Sequence, residues 1–234
     1  MANDRVIMTA ILSNLQATRA AVSRAVESAG RQVADVHLLA VSKTFPAEAV
    51  REAYRAGQIA FGENYLQEAL EKIEALRDLP LEWHFIGPIQ SNKTRAIAEN
   101  FAWVHSVDRL KIAERLSAQR PAHMPPLNVC LQVNVSGEAT KSGVAPAEVE
   151  QLAREVARLP HLKLRGLMSI PSPAPGEMQQ RRPFAQMREL LERLKSQGVA
   201  VDTLSMGMSQ DFPAAIQEGA TIVRIGSAIF GHRT

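Results

Sequence analysis

Short apolar or β-branched runs recur eight times along this chain, at 36–42, 58–62, 83–86, 103–106, 127–134, 164–168, 201–205 and 221–225, with helical patterns between them. Glycine and proline punctuate those helices: Pro46 near one start, Gly57 and Gly198 at stops, Pro146 in a first turn, and Ser209 to Gly219 around the last helix. Strands joined by single helices pair in parallel through right-handed crossovers, and eight of them can close on themselves. The expected fold is therefore α/β, a (β/α)8 TIM barrel over 36–231. Ile7, Ile11, Leu15, Val22 and Val26 add an amphipathic helix over 1–30 that precedes the repeat. An open doubly wound sheet is the alternative. That fold usually carries a glycine-rich phosphate loop after its first strand, where this chain has Ser42-Lys43-Thr44 without glycine.

A length of 234 residues, 46% of them hydrophobic, suits one such domain spanning 1–234. The longest apolar stretches are only strand-sized, and Met-Ala-Asn-Asp-Arg5 lacks the basic-then-apolar pattern of a secretory signal. A cytoplasmic location is expected. The formal charge of +3 is spread along helices among glutamates, without the runs of Lys or Arg interleaved with aromatics that nucleic-acid binding needs. No metal site is expected, because the six histidines show no paired ligand spacing. Cys130, the single cysteine, excludes an internal disulfide and reads as a buried thiol inside its strand.

The chemistry-bearing residues cluster where strands end. Lys43 closes the first apolar run, so partial desolvation would leave some of its amine uncharged and able to condense with an aldehyde or ketone. A lysine marking the point where a strand meets water fits the same segment. In a barrel of this kind the site forms at the C-terminal strand ends, often with a phosphate after strands seven and eight. Those places hold Ser205-Met206-Gly207-Met208-Ser209 and Gly226-Ser227, whose backbone amides and hydroxyls suit a phosphate monoester, or which are ordinary turns. Asn64, after Gly62-Glu63, lies at the same mouth; His84 reads as a satisfied core histidine and Lys141 as a solvated loop lysine. Arg224 interrupts Thr221-Ile-Val-Arg-Ile225 on the face opposite Val223 and Ile225, pointing either into the barrel or out among the helices. If it points inward, pyridoxal 5′-phosphate matches the set, with an aldehyde for Lys43, a phosphate for the two loops and a ring nitrogen for Arg224.

Leu39-Ala-Val-Ser-Lys43, Phe61-Gly-Glu-Asn64, His84-Phe-Ile-Gly-Pro-Ile-Gln-Ser-Asn-Lys93, Gly166-Leu-Met168, Leu204-Ser-Met-Gly-Met-Ser209 and Val223-Arg-Ile-Gly-Ser-Ala-Ile-Phe-Gly231 closely resemble the pyridoxal phosphate homeostasis proteins. These are single-barrel relatives of alanine racemase whose cofactor-binding barrel is of the racemase N-terminal-domain type, fold type III among pyridoxal phosphate proteins. The resemblance implies Lys43 as the Schiff-base lysine, Asn64 near the cofactor, and Arg224 near its pyridine nitrogen. It also implies Ser205, Met206, Gly207, Gly226 and Ser227 around the phosphate. The implied role is binding, buffering and delivery of pyridoxal 5′-phosphate with little or no turnover, in a monomer or weak dimer that hands cofactor to dependent apo-enzymes. An arginine beside the ring nitrogen weakens the ring as an electron sink. The chain also stops three residues after Gly231, without the second domain by which racemases complete their site. Two rivals share the same residues: a racemase completed by dimerisation, and a Schiff-base aldolase acting on a sugar phosphate.

Overall fold

Eight strands close into a parallel barrel in strict chain order: β1 His37–Val41, β2 Ala60–Glu63, β3 Glu82–Phe85, β4 Trp103–Val107, β5 Leu127–Gln132, β6 Leu162–Met168, β7 Thr203–Ser205 and β8 Ile222–Ile225. The computed structural model describes residues 2–138 and 141–231. Around the barrel lie α1 Ala2–Ser28, α2 Ala47–Arg55, α3 Leu66–Ala75, α4 Thr94–Asn100, α5 Leu110–Gln119, α6 Val149–Val156, α7 Glu177–Ser196, α8 Phe212–Gln217 and α9 Ser227–Phe230. The expected (β/α)8 barrel with an extra N-terminal helix is thus the fold found. Ile11, Leu15, Val22 and Val26 are buried where α1 packs on α2, α8 and α9, each worth about 1.5–3 kcal/mol of burial. Ile7 belongs to the same expected stripe, but its side chain lies outside the described set.

Strand alternation divides the core in two. Ala40, Phe61, Phe85, Val104, Val129, Leu204, Val223 and Ile225 face the helices in one large cluster, whereas Leu39, Trp103, Cys130, Met168 and Ile222 form a small separate cluster inside the barrel. Arg224 is two residues beyond Ile222 and therefore faces inward. The interior is short of apolar filling, and polar side chains occupy the remaining places: His84, His105, Ser205 and Arg224 are all buried.

Several boundaries differ from the sequence expectation, each for a local reason. β2 begins at Ala60, because Gln58 turns its side chain back to donate to the Leu38 and Ala60 carbonyls and to accept from Arg19. β5 ends at Gln132, beyond which Val133 forms an isolated bridge with Val144. Ser209 does not start the last predicted helix; Asp211 does, and its Oδ1 accepts from the Met208 amide at 2.6 Å. The short α9 was not anticipated from the sequence.

Candidate functional site

Register brings the predicted residues together at one mouth. Val41 pairs with Gly62, and Ala40 with Ile225, so the chain two residues beyond Val41 carries Lys43 beside Asn64, with Gly226 across from Val41. A cavity of about 600 Å³ opens there, lined by Lys43, Asn64, Arg224, Gly226 and Ser227 among others. Ile86, Ile170 and Phe45 supply apolar walls, and Ser209, Gln210 and Asp211 line the side nearest β7.

Lys43 is half-buried just past the end of β1, so both sequence readings describe part of its setting: it lies at the strand end and also lines a cavity. The backbone on either side of it is clamped. The Lys72 ammonium, itself only 4% exposed, donates to the Ser42 carbonyl at 2.7 Å, to Glu63 Oε1 at 2.7 Å and to Glu68 Oε1 at 2.6 Å. Glu68 Oε1 also accepts from the Thr44 amide, and Glu63 Oε1 from the Ser42 hydroxyl at 2.6 Å. Thr44 sits at φ 69°, a conformation that non-glycine residues adopt only when their surroundings enforce it. Burial pushes the Glu63 carboxyl up, against the pull of Lys72. The sequence reading missed this cluster. The Glu68 and Lys72 spacing of one helical turn was its only local trace.

Asn64 is seated by Gly87, where a Cβ would come 2.2 Å from the Asn64 carbonyl oxygen; no side chain can replace that hydrogen without moving the loop. The Asn64 side-chain Oδ1 is buried and has no hydrogen-bond partner among the described residues. Such an orphan at a cavity wall is an acceptor waiting for a ligand donor.

Arg224 resolves to the inward alternative. It is 4% exposed, and Nη1 donates to the Ser205 carbonyl at 2.6 Å and to Ser205 Oγ at 2.8 Å, while Nη2 donates to the Ser169 carbonyl at 2.9 Å. No carboxylate is among these partners, and burial pulls the guanidinium down to about 10.

The phosphate-loop residues divide. Ser205 is fully buried and its hydroxyl is engaged by Arg224 and by His105, so it lies beneath the cavity and is not one of its lining residues. Met206 packs in the helix-facing core, and Gly207 at φ 92° accepts from the Arg224 amide, with room for no Cβ because Ala215 Cβ would be 2.7 Å away. The other expected hydroxyls, Ser209 and Ser227, do line the cavity wall and are 3.4 Å apart across the two loops.

Lys141 is not simply solvated. It is half-buried, donates to Ser172 Oγ at 2.8 Å, and lines a cavity of about 220 Å³ that shares Asn64, Ile86 and Ile170 with the main one. The neighbouring residues 139–140 of its loop lie outside the described set. Cys130 is buried as expected, its thiol pushed up to about 12 by that burial, which rules it out as a nucleophile near neutral pH. No group of three potential metal ligands occurs among the described residues.

His84 is the satisfied core histidine anticipated, but its partner His105 was not: the two rings lie on neighbouring strands and face the same interior. Burial pulls both imidazoles below the ordinary histidine range; for His105 the charges of His84 and Arg224 add to it, and for His84 the neighbouring Glu82 partly opposes it while His37 does not. Both are therefore neutral in the folded protein at pH values where the unfolded chain begins to bind protons. Stability should then be full above about pH 6.5 and fall as pH drops below it, by up to about 1.4 kcal/mol per pH unit for each histidine. Urea unfolding at pH 7 and pH 5.5 measures this, and an unchanged midpoint would contradict it.

Over residues 13–234 the chain matches the family described as alanine racemase, N-terminal domain. It is 63% identical over 226 residues to the pyridoxal phosphate homeostasis protein of Pseudomonas aeruginosa, covering 97% of each chain. The protein of the same name from Vibrio cholerae is 54% identical over 230 residues, with 97% of this chain and 98% of the relative covered. Among solved structures, PipY of Synechococcus elongatus with PLP bound has a TM-score of 0.82 at 38% identity, covering 94% of this chain and all of the other (100%).

Proposed function

Because this chain belongs to the alanine racemase N-terminal domain family and, within it, to the pyridoxal phosphate homeostasis proteins, we propose that it binds pyridoxal 5′-phosphate in the Lys43 cavity and serves to hold, buffer and deliver that cofactor. The observation that carries this reading is the convergence of an amine, a buried arginine, an orphaned amide oxygen and two hydroxyl-bearing loops on one cavity. The cavity's chemistry fits the cofactor part by part. Lys43 would hold the aldehyde carbon, Ser209 and Ser227 with the backbone around Gly226 the phosphate, Asn64 a ring substituent that donates, and Arg224 the ring nitrogen. When bound, the cofactor supplies an aldehyde that condenses with amines and a ring that withdraws electrons.

Arg224 argues for holding over turnover. A guanidinium keeps a proton off the ring nitrogen, so electron withdrawal is weaker than with a carboxylate partner, and bond breaking on an attached amino acid is harder. The proposed setting is the cytoplasm, where dependent apo-enzymes are the recipients and the protein is a monomer or weak dimer. In support of a soluble carrier, no helix among the described residues is long and apolar enough to cross a membrane.

Adding pyridoxal phosphate to the purified protein should produce the near-visible absorption of the cofactor condensed with an amine, and single-enantiomer amino acids should show no appreciable loss of optical rotation. A protein that stays colourless would remove the cofactor reading, as would be expected of an aldolase. Robust racemisation would replace the carrier by an enzyme.

A further inference from the structure

A continuous chain of hydrogen bonds, buried except at its exposed Glu82 end, crosses the barrel interior from one mouth to the other. Glu82 Oε1 meets His84 Nε2 at 2.8 Å, His84 Nδ1 meets His105 Nε2 at 2.9 Å, His105 Nδ1 meets Ser205 Oγ at 2.7 Å, and Ser205 Oγ meets Arg224 Nη1 at 2.8 Å. Arg224 lines the Lys43 cavity. At the other end, Glu82 and His84 line a second cavity of about 640 Å³, formed by the N-terminal strand ends with His37, Trp103, Arg165 and Asp202. Trp103 lies flat against His84 with ring planes 4° apart, and Arg165 covers the Trp103 ring, so the histidine part of the chain is shielded while its Glu82 end is exposed to solvent.

The direction of every bond follows from the two ends. A guanidinium only donates, so Ser205 Oγ accepts from Arg224; the carboxylate end, traced through the two neutral rings, directs the Ser205 hydrogen to His105 Nδ1. With Nδ1 accepting, neutral His105 carries its hydrogen on Nε2 and donates to His84 Nδ1. His84 is then the Nε2–H tautomer as well, and donates to the Glu82 carboxylate, which only accepts. The opposite polarity would set the unprotonated His84 Nε2 against the Glu82 carboxylate, two acceptors 2.8 Å apart with no hydrogen between them. Burial keeps both imidazoles neutral, so the His84 to Glu82 contact is a hydrogen bond from a neutral ring and not an ion pair.

We propose that Glu82, His84, His105 and Ser205 form a polarised relay that fixes the charge and orientation of Arg224 from the opposite mouth of the barrel, making Glu82 and His105 positioning residues for the Lys43 cavity. Aligned hydrogen bonds polarise one another, and here a carboxylate sits at the accepting end and a cation at the donating end. Among the described residues Arg224 has no carboxylate hydrogen-bond partner; Asp211, on the same cavity, acts on it by charge alone, and the relay gives it a hydrogen-bonded path to a carboxylate. Three of its five donors are taken by Ser205 and Ser169, which turns the plane of the guanidinium and thereby the donors left for a ligand. No proton needs to travel; the relay works by orientation and field.

The part of this inference that concerns the cavity rests on the proposed cofactor reading, whereas the relay's polarity does not. Long-range proton–nitrogen correlation spectra of the cofactor-free wild-type protein, labelled with 15N-histidine, should show His84 and His105 as neutral Nε2–H tautomers at pH 7. A Nδ1–H tautomer or an imidazolium at either position would overturn the relay. Ser205→Ala should release His105 into a mixture of tautomers, and Ser205→Thr should restore the single form. In protein loaded with pyridoxal phosphate, Glu82→Gln should move the pH midpoint of the cofactor's absorption to lower pH, because the positive field of Arg224 is then less compensated. Asp35→Asn, which removes a charge at the same mouth but outside the relay, should leave it in place. Equal shifts in the two variants would reduce the effect to general surface charge and sink the coupling. Wild-type protein that takes up no cofactor yet shows the two tautomers would refute the cofactor reading and with it the coupling to the cavity, leaving the relay's polarity standing.

Discussion

Lys43→Ala should leave a folded protein that no longer develops the near-visible absorption of condensed pyridoxal phosphate, and borohydride reduction should attach no cofactor mass to it. Lys43 lies half-buried at the mouth of the cavity beside Asn64, and covalent attachment requires an amine at that place. Weak cofactor retention through the proposed contacts of Arg224, Ser209 and Ser227 would persist, because those side chains line the cavity whether or not the amine is there. Reduction of the wild-type protein followed by peptide mass analysis should place the modification on the peptide containing Lys43. A band of undiminished amplitude in the variant would move the attachment to a different amine and undo the assignment.

The largest effect on stability is expected from Lys72→Met, at about 3–5 kcal/mol, the cost of leaving one member of a buried ion pair without its partner. Glu63 is fully buried, its second oxygen already lacks a hydrogen-bond partner among the described residues, and Lys72 neutralises the first. Losing about 4 kcal/mol from a domain whose whole stability is of the order of 5–15 kcal/mol would be plain in a urea titration. Replacing both partners, Lys72→Met with Glu63→Leu, should recover most of the loss, since the penalty lies in the stranded charge. Because Lys72 also holds the Ser42 carbonyl, the single variant should release cofactor faster than the wild type. An unfolding midpoint within experimental error of the wild type would show that the cluster does not hold the strand end.

Much of this architecture could be read before any coordinates. The eight runs and the helix punctuation led directly to the barrel, and the alternation of Arg224 against Val223 and Ile225 left two orientations, of which the closed barrel selects the inner. Lys43, Asn64, Arg224, Gly226 and Ser227 meet at one cavity as anticipated. Of the two hydroxyls expected around a phosphate after β7, Ser205 and Ser209, only Ser209 lines the cavity. Ser205 looked like a ligand residue because it is polar and sits at a strand end, but as the last interior position of β7 it points down the barrel axis toward His105. Its neighbour Ser209, beyond the positive-φ turn at Gly207, is the one that reaches the cavity.

His105, Glu82 and Lys72 were overlooked for a common reason. His105 and Lys72 each matter through a partner on a different segment, 21 residues away for His105 and His84, 30 for Lys72 and Ser42, and 100 for His105 and Ser205, while Glu82, two residues from His84 on the same strand, matters only through the chain that His105 continues. Apolar period, glycine and proline punctuation and strand-end chemistry are local properties, carried by a few consecutive residues, so the order of residues was enough to determine the barrel, its mouth and the lysine at it. Which polar groups face each other across the interior depends on the stagger with which eight strands close. That stagger is a property of the whole barrel, so only the folded chain decided that a carboxylate, two histidines and a serine would run end to end beneath Arg224.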